Sequence, residues 1–477
     1  MIGAVNNDFE SLALSPELLA VLGELGYEQP TAVQAASIPT LLAGKDLIGQ
    51  SKTGSGKTAA FALPILQDVR LGSRSPQALV MCPTRELCAQ VAREVRKLGR
   101  RHPGLVVLEL IGGQPIGPQL GALERGVHLV VGTPGRILDH LRRETLRTAG
   151  VVTAVLDEAD RMLDMGFGDD VRQILSALPK KRQTVMFSAT FPKSIEELSS
   201  SCQQDATRVT IAGSEEASLE IRQLRLVTEA NERFHDLCWL LHKHPHASAL
   251  IFCNYKTTVA ELMGALSAAG LSVGRLDGDL DQFRRDQVLA RFRNQSLRLL
   301  IATDVAGRGL DVQDLDLVIN YELPQQSEIY VHRIGRTGRA GKKGLAISLT
   351  TARQEERVVA IQRLTGTTME TLRRTHGNDP GVEALLKDIA RPPVMETVLL
   401  SGGRKDKIRP GDILGALTGE AGGLKGEQIG KIEIQDRLSY VAVARAAAQH
   451  AVAQLNAGQV KGRRIKATLV GTKGAGR

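Results

Sequence analysis

The sequence predicts an α/β protein of two tandem lobes, each a parallel sheet wrapped by helices, followed by a small α+β domain. Three observations carry this expectation. Short apolar runs alternate with amphipathic stretches, the rhythm stops near residues 212–218 and starts again, and a stretch punctuated by Pro and Gly precedes a compact final segment. In order, the runs at 77–83, 127–134, 151–160 and 183–190 read as strands of a first sheet. Those at 249–254, 297–304, 315–324 and 344–350 read as strands of a second. Strand-then-helix repetition implies parallel strands, because each crossover lays a helix on the sheet face. Residues 1–211 are expected to form the first lobe, 219–375 the second, 376–394 a linker and 395–471 a third domain, with the helical pattern broken in THGNDPGVEALLKDIARPPV.

At 477 residues with 42% hydrophobic content, the chain has ample material for several buried cores. The five cysteines form no CxxC pair, and their odd count suggests neither a disulfide framework nor a zinc site. A reducing, cytoplasmic setting fits best. The N-terminus has no basic stretch ahead of an apolar core, and no apolar run approaches the ~20 residues that span a bilayer, so membrane insertion is not expected. The net charge is +9, and its position matters more than its size. From Met395 onward 14 Lys and Arg face 7 Asp and Glu, a balance of +7, which leaves 47 against 45, or +2, for the preceding residues. A clustered basic domain suits a polyanion partner, and an ordinary solvated surface remains the alternative.

The chemistry begins at Ser51, Lys52, Thr53, Gly54, Ser55, Gly56, Lys57 and Thr58, between the apolar DLIG run and the helix-forming AAFALPIL. This is the strand, loop and helix context of a phosphate-binding loop, whose glycines let backbone NH groups turn toward phosphate oxygens at a helix N-terminus. Lys57 would meet the β and γ phosphates and Thr58 a magnesium ion. The strict pattern has Gly where Ser51 stands. Asp157, Glu158, Ala159 and Asp160 directly follow the apolar strand VVTAVL, which puts them at the C-terminal edge of a parallel sheet. Asp157 can hold magnesium through water, and Glu158 can polarise an attacking water. The two motifs together imply hydrolysis of a nucleoside triphosphate with Mg2+.

From about Phe9 to Leu349 the motifs resemble those of the DEAD-box RNA helicases, in that family's order. The resemblance implies two RecA-like lobes, ATP as the nucleotide and RNA as the partner. Gly26 to Gln34, with Phe9 upstream, resembles the adenine-reading element, in which Gln34 would bond the adenine edge and Phe9 would stack nearby. Ala32 stands where the family often has Pro. Thr84, Arg85, Gly113, Thr133 and Arg136 match first-lobe RNA contacts, which grip sugar and phosphate without reading sequence. Ser188, Ala189 and Thr190 match the element that couples the nucleotide site to strand separation.

In the second lobe the resemblance assigns Gln282, Arg285 and Thr303 to RNA and Asp311 to the ATP ribose, with Gly307 where Ala or Ser is more usual. Arg336 and Arg339 would be the arginine fingers on the γ-phosphate. A planar, permanently charged guanidinium suits charge developing on phosphoryl oxygens. With the phosphate loop on one lobe and the fingers on the other, hydrolysis is expected to require closure, and ATP and RNA to bind cooperatively.

The tail reads β-α-β-β-α-β, the order of a ferredoxin-like RNA recognition fold, although Tyr440 is its sole aromatic residue. Its KIRPGDILGAL, IGKIEI and KGRRIK stretches are similar to the C-terminal domain of the DbpA family. That resemblance implies recognition of a 23S rRNA hairpin in large ribosomal subunit precursors. It makes Lys405, Lys407, Arg409, Lys431, Tyr440, Lys461, Arg463 and Arg464 candidate contacts, with a solvated basic face and a core tyrosine as the alternative. An ATP-gated RNA clamp, or a general RNA chaperone without rRNA specificity, is the competing function. A DNA translocase fits the motif set less well. No heptad pattern argues for more than a monomer.

Overall fold

The computed structural model describes residues 8–50, 55–210, 221–246, 248–307, 312, 315–338, 343–374, 380–419 and 423–471. The described residues fall into two compact units, one before and one after residue 218.

The first unit is built on the strands β1 (Leu47–Gln50), β2 (Ala78–Met81), β3 (Val107–Leu110), β4 (Leu129–Gly132), β5 (Thr153–Leu156), β6 (Gln183–Ser188) and β7 (Thr207–Thr210). They form one parallel sheet in the order β3-β4-β2-β5-β6-β1-β7. Central strands such as Ala78–Met81 and Leu129–Gly132 are buried throughout, which is why they read as continuous apolar runs. The Lys57–Asp68 helix buries Phe61, Leu63 and Leu66 against this sheet. Each such side chain contributes roughly 1.5–3 kcal/mol relative to exposure. Gly49 is required where it stands, since a Cβ there would lie 2.5 Å from the Phe187 ring on the neighbouring strand.

The second unit repeats the plan with β8 (Ile221–Val227), β9 (Ala249–Cys253), β10 (Val273–Leu276), β11 (Leu299–Thr303), β12 (Leu317–Asn320), β13 (Gly344–Thr350) and β14 (Glu370–Leu372). Their order is β10-β11-β9-β12-β13-β8-β14, again parallel. In both sheets the strands deliver their following loops to the C-terminal edge, where α/β folds bind ligands.

The same unit carries a third sheet of β15 (Met395–Leu400), β16 (Ile429–Ile434), β17 (Ser439–Ala444) and β18 (Ala467–Leu469). It is antiparallel, in the order β16-β17-β15-β18. With the helices Pro410–Thr418 and Ala448–Ala457 it is the expected β-α-β-β-α-β domain. Strand alternation sends Val398, Leu400, Val441 and Val443 into its own core with Ile413, Leu417 and Leu455. The opposite face, carrying Leu399 and Tyr440, packs on Ala290 of the second lobe.

The expected linker, 376–394, needs correction. Its residues Val382–Ile389 form a helix, with Leu385 1% and Ile389 8% exposed. Leu386 and Ile389 pack into the core that holds Leu237 and Leu241 of the Arg233–Lys243 helix. The Pro and Gly residues that marked the break bracket the helix, with Gly381 at its N-cap.

Candidate nucleotide and RNA sites

The nucleotide motifs converge at the C-terminal edge of the first sheet. Gly56 caps the Lys57–Asp68 helix with φ +91°, a left-handed conformation that favours glycine. A Cβ there would come within 2.5 Å of Gln34 Nε2. Gln34 Nε2 donates to the Gly56 carbonyl at 3.2 Å, Gln34 Oε1 accepts from the Thr31 amide at 2.9 Å, and Thr31 Oγ1 donates to the Ser55 carbonyl at 2.8 Å. The segment expected to read adenine is thus tied directly to Ser55 and Gly56, the described end of the expected phosphate loop. Sequence reasoning assigned Gln34 to adenine alone and missed Thr31, whose only signal was its place three residues before Gln34. Phe9 is 4% exposed and meets Tyr27 edge-on at 6.2 Å between centroids, so it serves the core and leaves little ring for stacking.

Lys57 begins the helix and is 6% exposed, while Thr58 beside it is half-buried. Ser51, Lys52, Thr53 and Gly54 lie outside the described residues, as do Asp311 and Arg339. Asp157 is 3% exposed at the end of β5, and its amide donates to the Met81 carbonyl. Burial pushes its carboxyl up to about 6, partly offset by the Lys57 ammonium and reinforced by Glu158. Its Oδ1 is buried without a hydrogen-bond partner. A buried carboxylate oxygen lacking a protein donor fits a role beside a hydrated cation. Glu158 is 4% exposed and adopts φ +54°, a strained setting for a non-glycine residue at the turn into Ala159–Asp164. The fourth residue of the motif works differently: Asp160 Oδ2 accepts from the Ala189 amide, the Thr190 amide and Thr190 Oγ1.

The first-lobe RNA candidates sit on neighbouring strand ends. Thr84 caps the Arg85–Leu98 helix, its Oγ1 accepting from the Leu87 amide at 3.3 Å. The Arg85 guanidinium lies across Gly113, where a Cβ would be 1.9 Å from Arg85 Nη1 and φ is +73°. Thr133 caps the Pro134–Arg142 helix. Arg136 Nη1 donates to Gln119 Oε1 at 2.9 Å, and the same oxygen meets His140 Nε2 at 3.0 Å. Gln119, 5% exposed, was not singled out from the sequence, yet it orients Arg136.

In the second lobe, Gln282 opens the Gln282–Arg293 helix and donates to Asp286 at 2.9 Å, with half-buried Arg285 one turn on. Thr303 ends β11 and is 6% exposed. Arg336 is 4% exposed. The neighbouring Arg333, passed over in the sequence, is a hub. Its guanidinium grips both carboxylate oxygens of Asp304 at 2.6 and 2.8 Å, Asn320 Oδ1 at 3.1 Å, Asn254 Oδ1 at 2.8 Å and the Glu322 carbonyl at 2.6 Å. It therefore holds the segment after Thr303 to the segment before Arg336.

In the C-terminal domain two loops meet. Gly403 permits backbone contact with the β16–β17 turn, since a Cβ would be 2.3 Å from the Gln435 carbonyl. Lys461 Nζ donates to the Lys407 carbonyl at 2.6 Å, and Arg463 pairs with Asp406 at 3.4 Å. Residues 404–409 and 461–464 thus form one basic surface. Lys405 and Lys461 also lie near Asp436 and Asp412, pairs worth little at such exposure. Lys407, Arg409, Lys431 and Arg464 are exposed and form no ion pair among the described residues. Tyr440 corrects the sequence expectation. It is 0% exposed, and burial raises its hydroxyl above the ordinary tyrosine range, so its ring offers no face to RNA.

No described helix is long and apolar enough to cross a membrane, and the described residues hold no cluster of three His, Cys, Asp or Glu side chains placed for a metal.

Comparison with known proteins matches these parts. The DEAD/DEAH box helicase family model covers residues 31–198, the Helicase conserved C-terminal domain 232–341 and the DbpA RNA binding domain 397–469. The chain is 44% identical to the ATP-dependent RNA helicase DbpA of Escherichia coli over 457 residues, 96% of this chain and 98% of that one. It is 43% identical over 364 residues to the DEAD-box ATP-dependent RNA helicase CshA of Bacillus cereus, covering 76% of this chain and 69% of that one. Among solved structures, S. cerevisiae Dbp5 bound to RNA and ADP BeF3 matches with a TM-score of 0.71 and 32% identity, over 81% of this chain and 100% of that one.

Proposed function

Because the chain belongs to the DbpA family of DEAD-box RNA helicases, RNA-stimulated ATPases that carry their own RNA-binding domain, we propose that it remodels a 23S rRNA hairpin region in large ribosomal subunit precursors. The observation that carries this reading is the basic surface at residues 404–409 and 461–464, built on a domain matching the DbpA RNA binding model. Lys405, Lys407, Arg409, Lys431, Lys461, Arg463 and Arg464 are its proposed RNA contacts. A monomer working in the cytoplasm completes the proposal.

In the nucleotide site Lys57 and the NH groups of the phosphate loop bind the β and γ phosphates of ATP. Magnesium, when bound, neutralises phosphate charge; Thr58 and Asp157 would hold it, the latter through water. Glu158 orients and deprotonates the attacking water. Gln34 and Thr31 hold the phosphate loop to the adenine-reading element. Arg336 and Arg339 stabilise charge on the transferring phosphoryl group. Thr84, Arg85, Gly113, Thr133, Arg136, Gln282, Arg285 and Thr303 grip the RNA backbone, and the Asp160–Thr190 clasp couples the two sites.

Single-turnover unwinding tests the targeting. A short duplex joined to the 23S hairpin should unwind faster than the same duplex alone, and the advantage should vanish in Lys407→Glu/Arg409→Glu/Arg464→Glu. Equal rates for both substrates in the unmodified protein would leave an RNA helicase without rRNA targeting. The competing ATP-gated clamp would bind RNA in an ATP-dependent way without separating the strands.

A further inference from the structure

In a ferredoxin-like RNA-binding domain the open face of the sheet is the surface expected to meet bases. Here that face is occupied. Tyr440, Leu399 and Val470 pack on Ala290 of the second lobe. Thr397 Oγ1, on the same face, meets Ser296 Oγ at 2.7 Å and Asn294 Nδ2 at 3.3 Å, with all three residues buried. At the margin Arg293 Nη2 bonds both carboxylate oxygens of Glu433, at 3.0 and 2.9 Å. Gly471 lies against the Arg291 guanidinium, where a Cβ would be 2.8 Å from Cζ. Upstream, Arg298 holds the incoming chain through the Ile389 carbonyl at 3.1 Å. An apolar centre, a buried polar cluster and an ion pair together define one orientation rather than a greasy contact that can slide.

The helix that receives the domain is the one whose N-terminal turn carries Gln282 and Arg285. Gln282 and Arg293 stand about 17 Å apart along this single rod. We propose that the docked domain is a ruler: it fixes the distance between the RNA element gripped at residues 404–409 and 461–464 and the strand gripped at Gln282 and Arg285. The protein thereby selects substrates in which recognition hairpin and target duplex are separated by one span. This rests on the proposed RNA contacts of both surfaces. A tethered domain acts over a broad range of separations, whereas a rigid one has a sharp optimum.

The test uses the full chain and RNAs in which the hairpin and a short duplex are joined by unpaired linkers of zero to about twelve nucleotides. Hairpin binding is measured by fluorescence anisotropy and unwinding under single turnover. The unmodified protein should bind every RNA alike and unwind best at one linker length, with a fall of about tenfold on either side. Arg293→Glu and Glu433→Arg should each flatten that profile while leaving ATP hydrolysis on unstructured RNA unchanged. The double variant Arg293→Glu/Glu433→Arg should restore the optimum, which mere misfolding would not allow. Preferred hairpin binding with a flat profile in the unmodified protein would overturn the ruler alone. So would an optimum that survives both single variants. Absence of any hairpin preference would overturn the reading on which it rests, and the ruler with it.

Discussion

The Asp160 carboxylate accepts two hydrogen bonds from Thr190, from its amide at 3.0 Å and its hydroxyl at 2.9 Å. It accepts a third from the Ala189 amide at 3.1 Å. The end of the nucleotide motif and the end of β6 therefore move as one. Thr190→Val removes only the hydroxyl bond and leaves the two amide bonds in place. A bond to a charged acceptor is worth roughly 1.5–3 kcal/mol, enough to change a coupled step about tenfold or more. ATP hydrolysis with saturating RNA should stay within about threefold, while unwinding falls at least about tenfold. Parallel steady-state and unwinding assays check this, and an equal fall in both would remove the coupling role.

Asp157 gives a pH dependence whose sign follows from burial. Its carboxyl is raised from the ordinary value of 3.8 to about 6, so the protonated form persists into mildly acidic solution. Protonated Asp157 cannot hold a hydrated cation, and kcat/KM for ATP should decline as pH falls through about 6. For the nucleotide-free fold the sign is opposite. The stability associated with this group is fully present below about pH 4 and is lost as pH rises through about 6. Asp157→Asn should therefore melt higher than the unmodified protein at neutral pH while losing hydrolysis. A lower melting temperature would show that the Lys57 interaction outweighs burial.

Gly113→Ala sets a side chain against the Arg85 guanidinium and strains a backbone at φ +73°. The expected result is an RNA KM raised about tenfold, with kcat at saturating RNA nearly unchanged, because the loss is in uniform RNA binding. Titration of ATP hydrolysis with poly(U) measures both. A fall in kcat alone would place Gly113 outside the RNA grip.

Gln119→Leu keeps the side-chain bulk but removes the oxygen shared by Arg136 and His140. Without that acceptor, Arg136 should hold RNA more weakly by about tenfold or more, on the ~1.5–3 kcal/mol scale of a charged hydrogen bond. Gln119→Glu, which keeps an acceptor, should retain binding. Equal weakening by both would assign Gln119 to packing alone.

Much of this architecture was legible in the sequence because central parallel strands advertise themselves: Ala249–Cys253 and Leu299–Thr303 are buried on both faces and read as apolar runs. Strands such as Thr207–Thr210 and Ile221–Val227 were missed because they mix buried and exposed positions. The Val382–Ile389 helix was missed for a related reason: flanking Pro and Gly outweighed a short amphipathic pattern that only tertiary packing reveals. In the candidate site, residues local to a motif were named from the motif pattern and the family resemblance. Arg333, Gln119 and Thr31 were not, because their partners lie far away in sequence. Tyr440 was misread for the same reason, since the helix that covers it belongs to another domain.

The central claim is that the C-terminal domain directs an RNA-stimulated ATPase to one ribosomal RNA element. The most direct measurement is steady-state ATP hydrolysis without RNA, with poly(U) and with a 23S fragment carrying the hairpin, for the unmodified protein and for Lys407→Glu/Arg409→Glu/Arg464→Glu. Strong stimulation by the fragment that drops to the poly(U) level in the variant is the expected result. Equal stimulation by every RNA, indifferent to those three substitutions, would contradict it.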